Sequence, residues 1–446
     1  MTDGVVEADL TPPDPAAEIP RRLASLAEAA LERRDGQMAR DLLRLLHLGA
    51  PPATLLRAAA VFDAERGQYG STHVLPVAAD LLARWDAVDT DALRLLALTA
   101  PWELAAEGHV RRPVRPAPAP VDPGPDLDAA CARLRALVEA EESDAAEALL
   151  RGLLAQGHGR PALERPLLVI AADHFLDLGH AVIYASKLFD LADTLGDGAL
   201  AELLPAWLVS VVTGTRHDVL PRWRWLRERL AALGDARPAE VDAPRDEARR
   251  DALLTALLGK DRDAAFDAVA RALDDGALDD VLDALSLGAA ERLLRFDDRV
   301  EADPTIQDDW LDVSHAFTYV HALRAIAPRF REPALARLLF YAVRYVNALG
   351  ALDAAAPPAP PPEPPATLRD ALTVALTRAD LRPIHLAHLV KLSVAAFDEG
   401  AATGDPRPLR ALARFLAAPF GVRRIPRLAH EAHRLLDEGR VPKTLW

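Results

Sequence analysis

Alanine and leucine supply most of the apolar residues and recur at three- and four-residue spacing along most of the chain. An α-helix buries that spacing on one face, and a β-strand cannot. Half of the residues are hydrophobic, yet the β-branched and aromatic types that favour strands are thin. The chain is therefore expected to be all-α, a compact multi-helix bundle of antiparallel helix pairs around a central histidine-lined site.

Proline and glycine divide the helical pattern. Helices are expected at about 19–34, 37–48, 52–66, 72–87 and 91–105. A second group covers 127–140, 143–156, 163–193, 197–213, 218–233, 245–258, 262–274, 277–295, 307–326 and 332–349. A last group covers 368–378, 383–400, 407–417 and 426–438. Residues 1–17 read as a disordered tail, and the proline-rich stretches 111–126 and 356–367 as extended linkers. Histidine-bearing helices occur in all three segments, so residues 18–446 are expected to form a single helical domain crossed by the two linkers.

A formal charge of −15 argues against sequence-independent binding to nucleic acid or to an anionic membrane. One cysteine, Cys131, excludes an intrachain disulfide and a thiolate cluster and suits a reducing cytoplasm. The N-terminus lacks the basic and apolar regions of a signal peptide, and no run approaches the ~20 uninterrupted apolar residues of a membrane span. Only four lysines accompany 48 arginines, which makes a lysine inside an apolar helix a candidate for chemistry that arginine cannot do.

Four apolar segments embed histidines: Ser71-Thr72-His73, His174 through Gly179-His180, His315 to His321, and His385-Leu386-Ala387-His388-Leu389-Val390-Lys391. Any one alone reads most simply as a core histidine bonded to backbone. Four together suggest imidazoles projecting inward to hold a transition metal. His388 and Lys391, three residues apart, share a helix face. A lysine buried there needs a partner or a lowered pKa, unless it reaches the surface. A neutral amine can serve as base, as Schiff-base nucleophile or, after reaction with CO₂, as a carbamate ligand. Asp177-x-x-His180 and Asp312-x-x-His315 imitate the di-iron spacing, but with Asp for Glu and without the further inward Glu residues. They also lie in a short internal echo, in which 176–184 resembles 311–319 and His180 aligns with His315. Phosphate loops, dinucleotide fingerprints, nucleophile elbows and zinc-protease helices are absent.

The four histidine segments, in this order, resemble the questin oxidase-like family. The resemblance rests on Ser71-Thr72-His73, on His174 with Gly179-His180, on His315-Ala316-Phe317-Thr318 and on His388-Leu389-Val390-Lys391-Leu392, with Thr72 where the family carries Asn. It implies an all-helical oxygenase acting with O₂ on polycyclic aromatic, anthraquinone-like polyketides. It also implies one non-haem Fe(II) held by His73, His174, His315, His388 and a carboxylated Lys391, and leaves open NADPH as co-substrate. His180 is expected behind the metal ligands, oriented by Asp177, with Tyr184, Tyr319 and His321 as candidate proton or hydrogen-bond donors. A non-catalytic helical interaction scaffold and a zinc hydrolase using the same pocket are the alternatives.

Overall fold

A computed structural model describes residues 14–109, 113–234, 238, 242–303, 306, 308–378, 380–420, 429 and 432–440. Among them are 20 α-helices joined by short turns, no strand, and two isolated bridge pairs, Leu176 with Arg216 and Phe296 with Asp353. Most of the expected tail lies outside the described residues, as do 426–428, 430 and 431 of the expected 426–438 helix, of which 429 and 432–436 are helical. Residues 15–17 belong to the first helix, Pro15–Leu31, which Asp14 caps.

Four helices enclose the centre: Val74–Ala83, His180–Leu195, Trp310–Ile326 and Pro383–Thr403. Each packs on the next, and the last closes on the first. Their sequences explain this central place. Residues 74–81 and 313–323 are buried without interruption, which leaves no solvent face, as expected of a helix surrounded by others. Their ends are signalled locally. Asp309 and Asp312 form a reciprocal capping box on the third helix, while Pro383 opens the fourth and left-handed Gly404 (φ 65°) closes it.

Two layers of polar side chains set the direction of these helices. In all four, a histidine near the N-terminal end joins one layer: His73, His180, His315 and His388. Further along every one of them, Asp80, Lys187, His321 and Glu399 join a second. The same order on each helix requires the four to run parallel, and neighbouring helices return the chain antiparallel outside them. One such return, Asp197–Thr213, follows the 180–195 helix after the single residue Gly196. Two of the histidines, His73 and His180, lie at the N-terminal ends of their helices, where the dipole is positive.

The four helices come from all three segments of the chain, so neither proline-rich stretch separates the centre from its parts. The first stretch lies along the helices: Arg115 N donates to Glu65 O and Val121 N to Ala148 O. Pro333–Leu352 has the length and hydropathy of a membrane span, but it contains Arg337 and Arg344 and is mostly packed inside the protein.

The expected helix over 163–193 is two helices, Arg160–Ala171 and His180–Leu195. Between them Asp177, Leu178 and Gly179 all have positive φ (42°, 60° and 95°). Two consecutive non-glycine residues in the left-handed region cost roughly 1–2 kcal/mol each. Tertiary bonds offset the cost. Asp177 N donates to Thr215 O (3.1 Å), Asp177 Oδ1 accepts from Thr215 N (2.9 Å), and His217 N donates to Phe175 O (2.9 Å). Gly179 is required sterically as well, since a Cβ there would lie 2.4 Å from Cδ2 of Tyr319.

Candidate metal centre

His73 reaches the centre from the turn before its helix. Gly70 (φ 83°) passes so close to the 197–213 helix that a Cβ would meet Ala206 O at 2.1 Å. Buried Asp63 then accepts from Thr72 N (3.0 Å) and Thr72 Oγ1 (2.9 Å), fixing the residue before the imidazole. Threonine at position 72 is therefore a working anchor.

The imidazoles of His73, His180, His315 and His388 form a closed quartet, with successive centroids 4.8, 4.6, 4.4 and 4.9 Å apart around the ring. His180 Nε2 lies 2.7 Å from His315 Nε2, and His73 Nε2 lies 3.1 Å from His388 Nε2. One ligand nitrogen each from His73, His315 and His388 falls within 4.8 Å of the others, so these three can hold a metal ion. Adjacent imidazole nitrogens on one ion, each at about 2.1 Å from it, stand roughly 3 Å apart at right angles, which matches the observed spacing.

Hydrogen bonds orient the outer nitrogens. His315 Nδ1 faces Leu311 O at 2.7 Å and must donate to it. Ser314 Oγ donates to the same carbonyl (2.8 Å), so it accepts from His388 Nδ1 (2.8 Å). Both neutral rings consequently present a bare Nε2 to the centre. Without a cation, His180 and His73 must each turn an N–H toward these lone pairs. Such fixing of the outer nitrogen is the usual device by which a protein aims a metal-binding imidazole. Burial, with the neighbouring Lys391, holds all four rings well below their ordinary pKa, in the neutral form a metal requires.

Lys391 is buried beside the quartet and its Nζ has no hydrogen-bond partner among the described residues. Burial pushes its pKa down to about 7, against a smaller opposing pull from Asp80. That amine is uncharged over much of the neutral range, and a buried donor left unmatched costs about 1–3 kcal/mol. The donor set fits a transition metal: imidazole lone pairs converge, and the one orphaned polar atom beside them is an amine able to become a carbamate.

Tyr184 belongs to the site. Its ring stacks on His180 (4.9 Å, 18° between planes) and its hydroxyl lies 3.2 Å from His73 Nδ1. Burial raises its pKa far above the ordinary value, so it stays a phenol. A cavity of about 360 Å³ reaches His180 and Tyr184 between Tyr69, Ser71, Asp177 and Ser210.

Four expected placements change, those of His174, His180, Asp177 and Tyr319. His174 is absent from the quartet: its Nδ1 and Nε2 each lie 2.9 Å from a carboxylate, Asp218 and Glu139 respectively, and the Asp218 bond leads in raising its pKa. An imidazolium has no lone pair for a metal, and the break at 177–179 carries His180 inward instead. Asp177 is engaged with Thr215 and does not orient His180. Tyr319 donates its hydroxyl to Leu338 O (3.1 Å) while its ring covers Gly179, so its proton is committed to the scaffold.

His321 lies in the second polar layer, 3.3 Å from Glu399 and 3.5 Å from Lys187 Nζ, itself 2.7 Å from Asp80. The scarcity of lysine that singled out Lys391 also marked Lys187. Ser314 had no comparable signal, because its role depends on a helix 74 residues away. In comparisons with known proteins, no family, no curated protein and no solved structure matches the chain.

Proposed function

We propose that the protein is an oxygenase that uses O₂ and a single non-haem iron to oxidise or cleave a ring of a polycyclic aromatic, anthraquinone-like substrate. The observation that carries the reading is the convergence of imidazole nitrogens, aimed by Leu311 and Ser314, beside the unpartnered amine of Lys391. His73, His180, His315 and His388 would hold the metal, with a carboxylated Lys391 as an anionic ligand. The two helix N-termini at His73 and His180 favour that negative charge and disfavour an ammonium.

Bound iron would supply the capacity to activate O₂. The chain's own part is to keep the rings neutral and to exclude water with Ala- and Leu-rich walls. Through the cavity at His180 it would admit a flat substrate, with the Tyr184 phenol placed to donate a hydrogen bond. The substrate class rests on the resemblance to the questin oxidase-like family.

An interaction scaffold gains no support from histidine helices that face one another, since a scaffold does not require them to converge. A zinc hydrolase would share the donors. The deciding experiment is anaerobic loading with Fe(II), followed by oxygen electrode measurements with hydroxylated anthraquinones. Near-stoichiometric iron and substrate-dependent O₂ uptake are expected. Stoichiometric iron without uptake would remove the substrate class, and failure to bind iron would sink the oxygenase.

A further inference from the structure

The strap 175–179 separates two cavities. One reaches the histidine quartet. The other, of about 230 Å³, is walled by Phe175, Leu178, Trp223 and Tyr345, with Arg222 and Arg344 set into it.

Those two arginines differ from Arg292, Arg324 and Arg160. Arg292 pairs with Asp353 (2.6 Å), Arg324 with Glu399 (2.9 Å) and Arg160 with Glu164 (2.9 Å). Neither Arg222 nor Arg344 makes an ion pair among the described residues. The guanidinium of Arg344 stacks over the Trp223 ring (5.3 Å) and spends one N–H on Arg222 O at 3.4 Å. Its Nε is buried with no acceptor among the described residues. The same holds for Arg222 Nε and Trp223 Nε1, and His217 Nδ1, also on the wall, is equally unmatched.

Burial pushes the Arg344 pKa down to about 10, and Arg222 and Arg262 push in the same direction with no carboxylate opposing them. Two acids also line the cavity. Burial pushes the Asp312 carboxyl well above the ordinary carboxylate range and it takes part in the Asp309 capping box, and Asp308 has partners of its own. In a chain of net charge −15, several buried donors on one cavity wall that meet no acceptor among the described residues suit an anionic ligand.

We infer that this second cavity binds a small organic oxyanion, an aryl carboxylate of about one ring, with Arg222 and Arg344 on the carboxylate and Phe175, Trp223 and Tyr345 against the ring. The volume lies below the ~300 Å³ of ordinary small-molecule sites, which restricts the ligand to that size. The aromatic walls favour an arene over a bare inorganic anion. This inference does not depend on the metal reading.

Calorimetric titration of the full chain with sodium benzoate and, separately, with inorganic phosphate tests it, with tryptophan fluorescence as a second readout at Trp223. One saturable benzoate site is expected, with phosphate at least about tenfold weaker. Arg344→Gln should weaken benzoate by roughly 10–100-fold, as expected for lost hydrogen bonds to a charged group. Arg222→Gln, in a short surface turn, should do the same and serves if the first variant does not fold. His180→Ala should leave benzoate binding intact. No saturation by ~10 mM, tighter binding of phosphate than of benzoate, or benzoate affinity unchanged in both arginine variants would overturn the assignment.

Discussion

His174 and His180 stand six residues apart, in similar apolar sequence, and do opposite things. His174 is charged, clamped between Glu139 and Asp218 where the chain meets solvent. His180 is half-buried, neutral and 2.7 Å from another imidazole nitrogen. What divides them is the left-handed turn at Asp177, Leu178 and Gly179, which ends one helix and starts another. A histidine becomes a candidate ligand here when its environment offers it no carboxylate, and becomes a structural cation when it is offered two.

The largest test of that contrast is metal affinity. His180→Ala should weaken Fe(II) binding by more than the ~100-fold usual for loss of an outer-shell partner. His174→Ala should bind as the parent does. Equal losses in anaerobic titration would erase the distinction between them.

A second test concerns Lys391, the buried base that lacks a partner. Its pKa falls from 10.5 in the unfolded chain to about 7 in the folded one. Across that window the unfolded state holds a proton the folded state lacks, so stability of the metal-free protein should rise with pH between about 7 and 10.5. Lys391→Met removes both the slope and the unmatched amine, and should stabilise the metal-free protein at pH 7 by about 1–3 kcal/mol. An unchanged slope in urea melts would mean that the amine has a partner after all. Iron affinity should fall in the same variant.

The smallest effect belongs to His174. Its folded pKa is raised by Asp218 and Glu139, so its contribution is complete below the ordinary value and fades as pH rises through the folded one. His174→Gln should cost about 0.5–1 kcal/mol at pH 5.5 and close to nothing at pH 8.5, read by chemical denaturation. A cost that grew with pH would mean that the imidazole is neutral and free to bind a metal.

The helical class and most helix positions were legible because the repeat of alanine and leucine is a local property. Local signals also served where they are strong, at the Asp309 cap and at Pro383 and Gly404. They failed at 172–179, where the apolar pattern runs on and nothing except Gly179 announces a break. The bonds that hold that turn open come from Thr215 and His217, some 40 residues away, and an imposed conformation of this kind overrides propensity. The echo that aligned His180 with His315 carried the better information about the quartet, since it compared whole helix environments.

By itself the sequence determined that the chain is helical, that imidazoles lie among apolar residues in four places, and that Lys391 is an exceptional lysine. The tertiary structure alone decided which histidines meet, which nitrogen of each faces inward, and that Arg222 and Arg344 make no ion pair among the described residues. Spacing along one helix controls only which residues share a face. Protonation, tautomer and ligand choice depend on what other helices bring within about 3 Å, and that is a property of the packed centre.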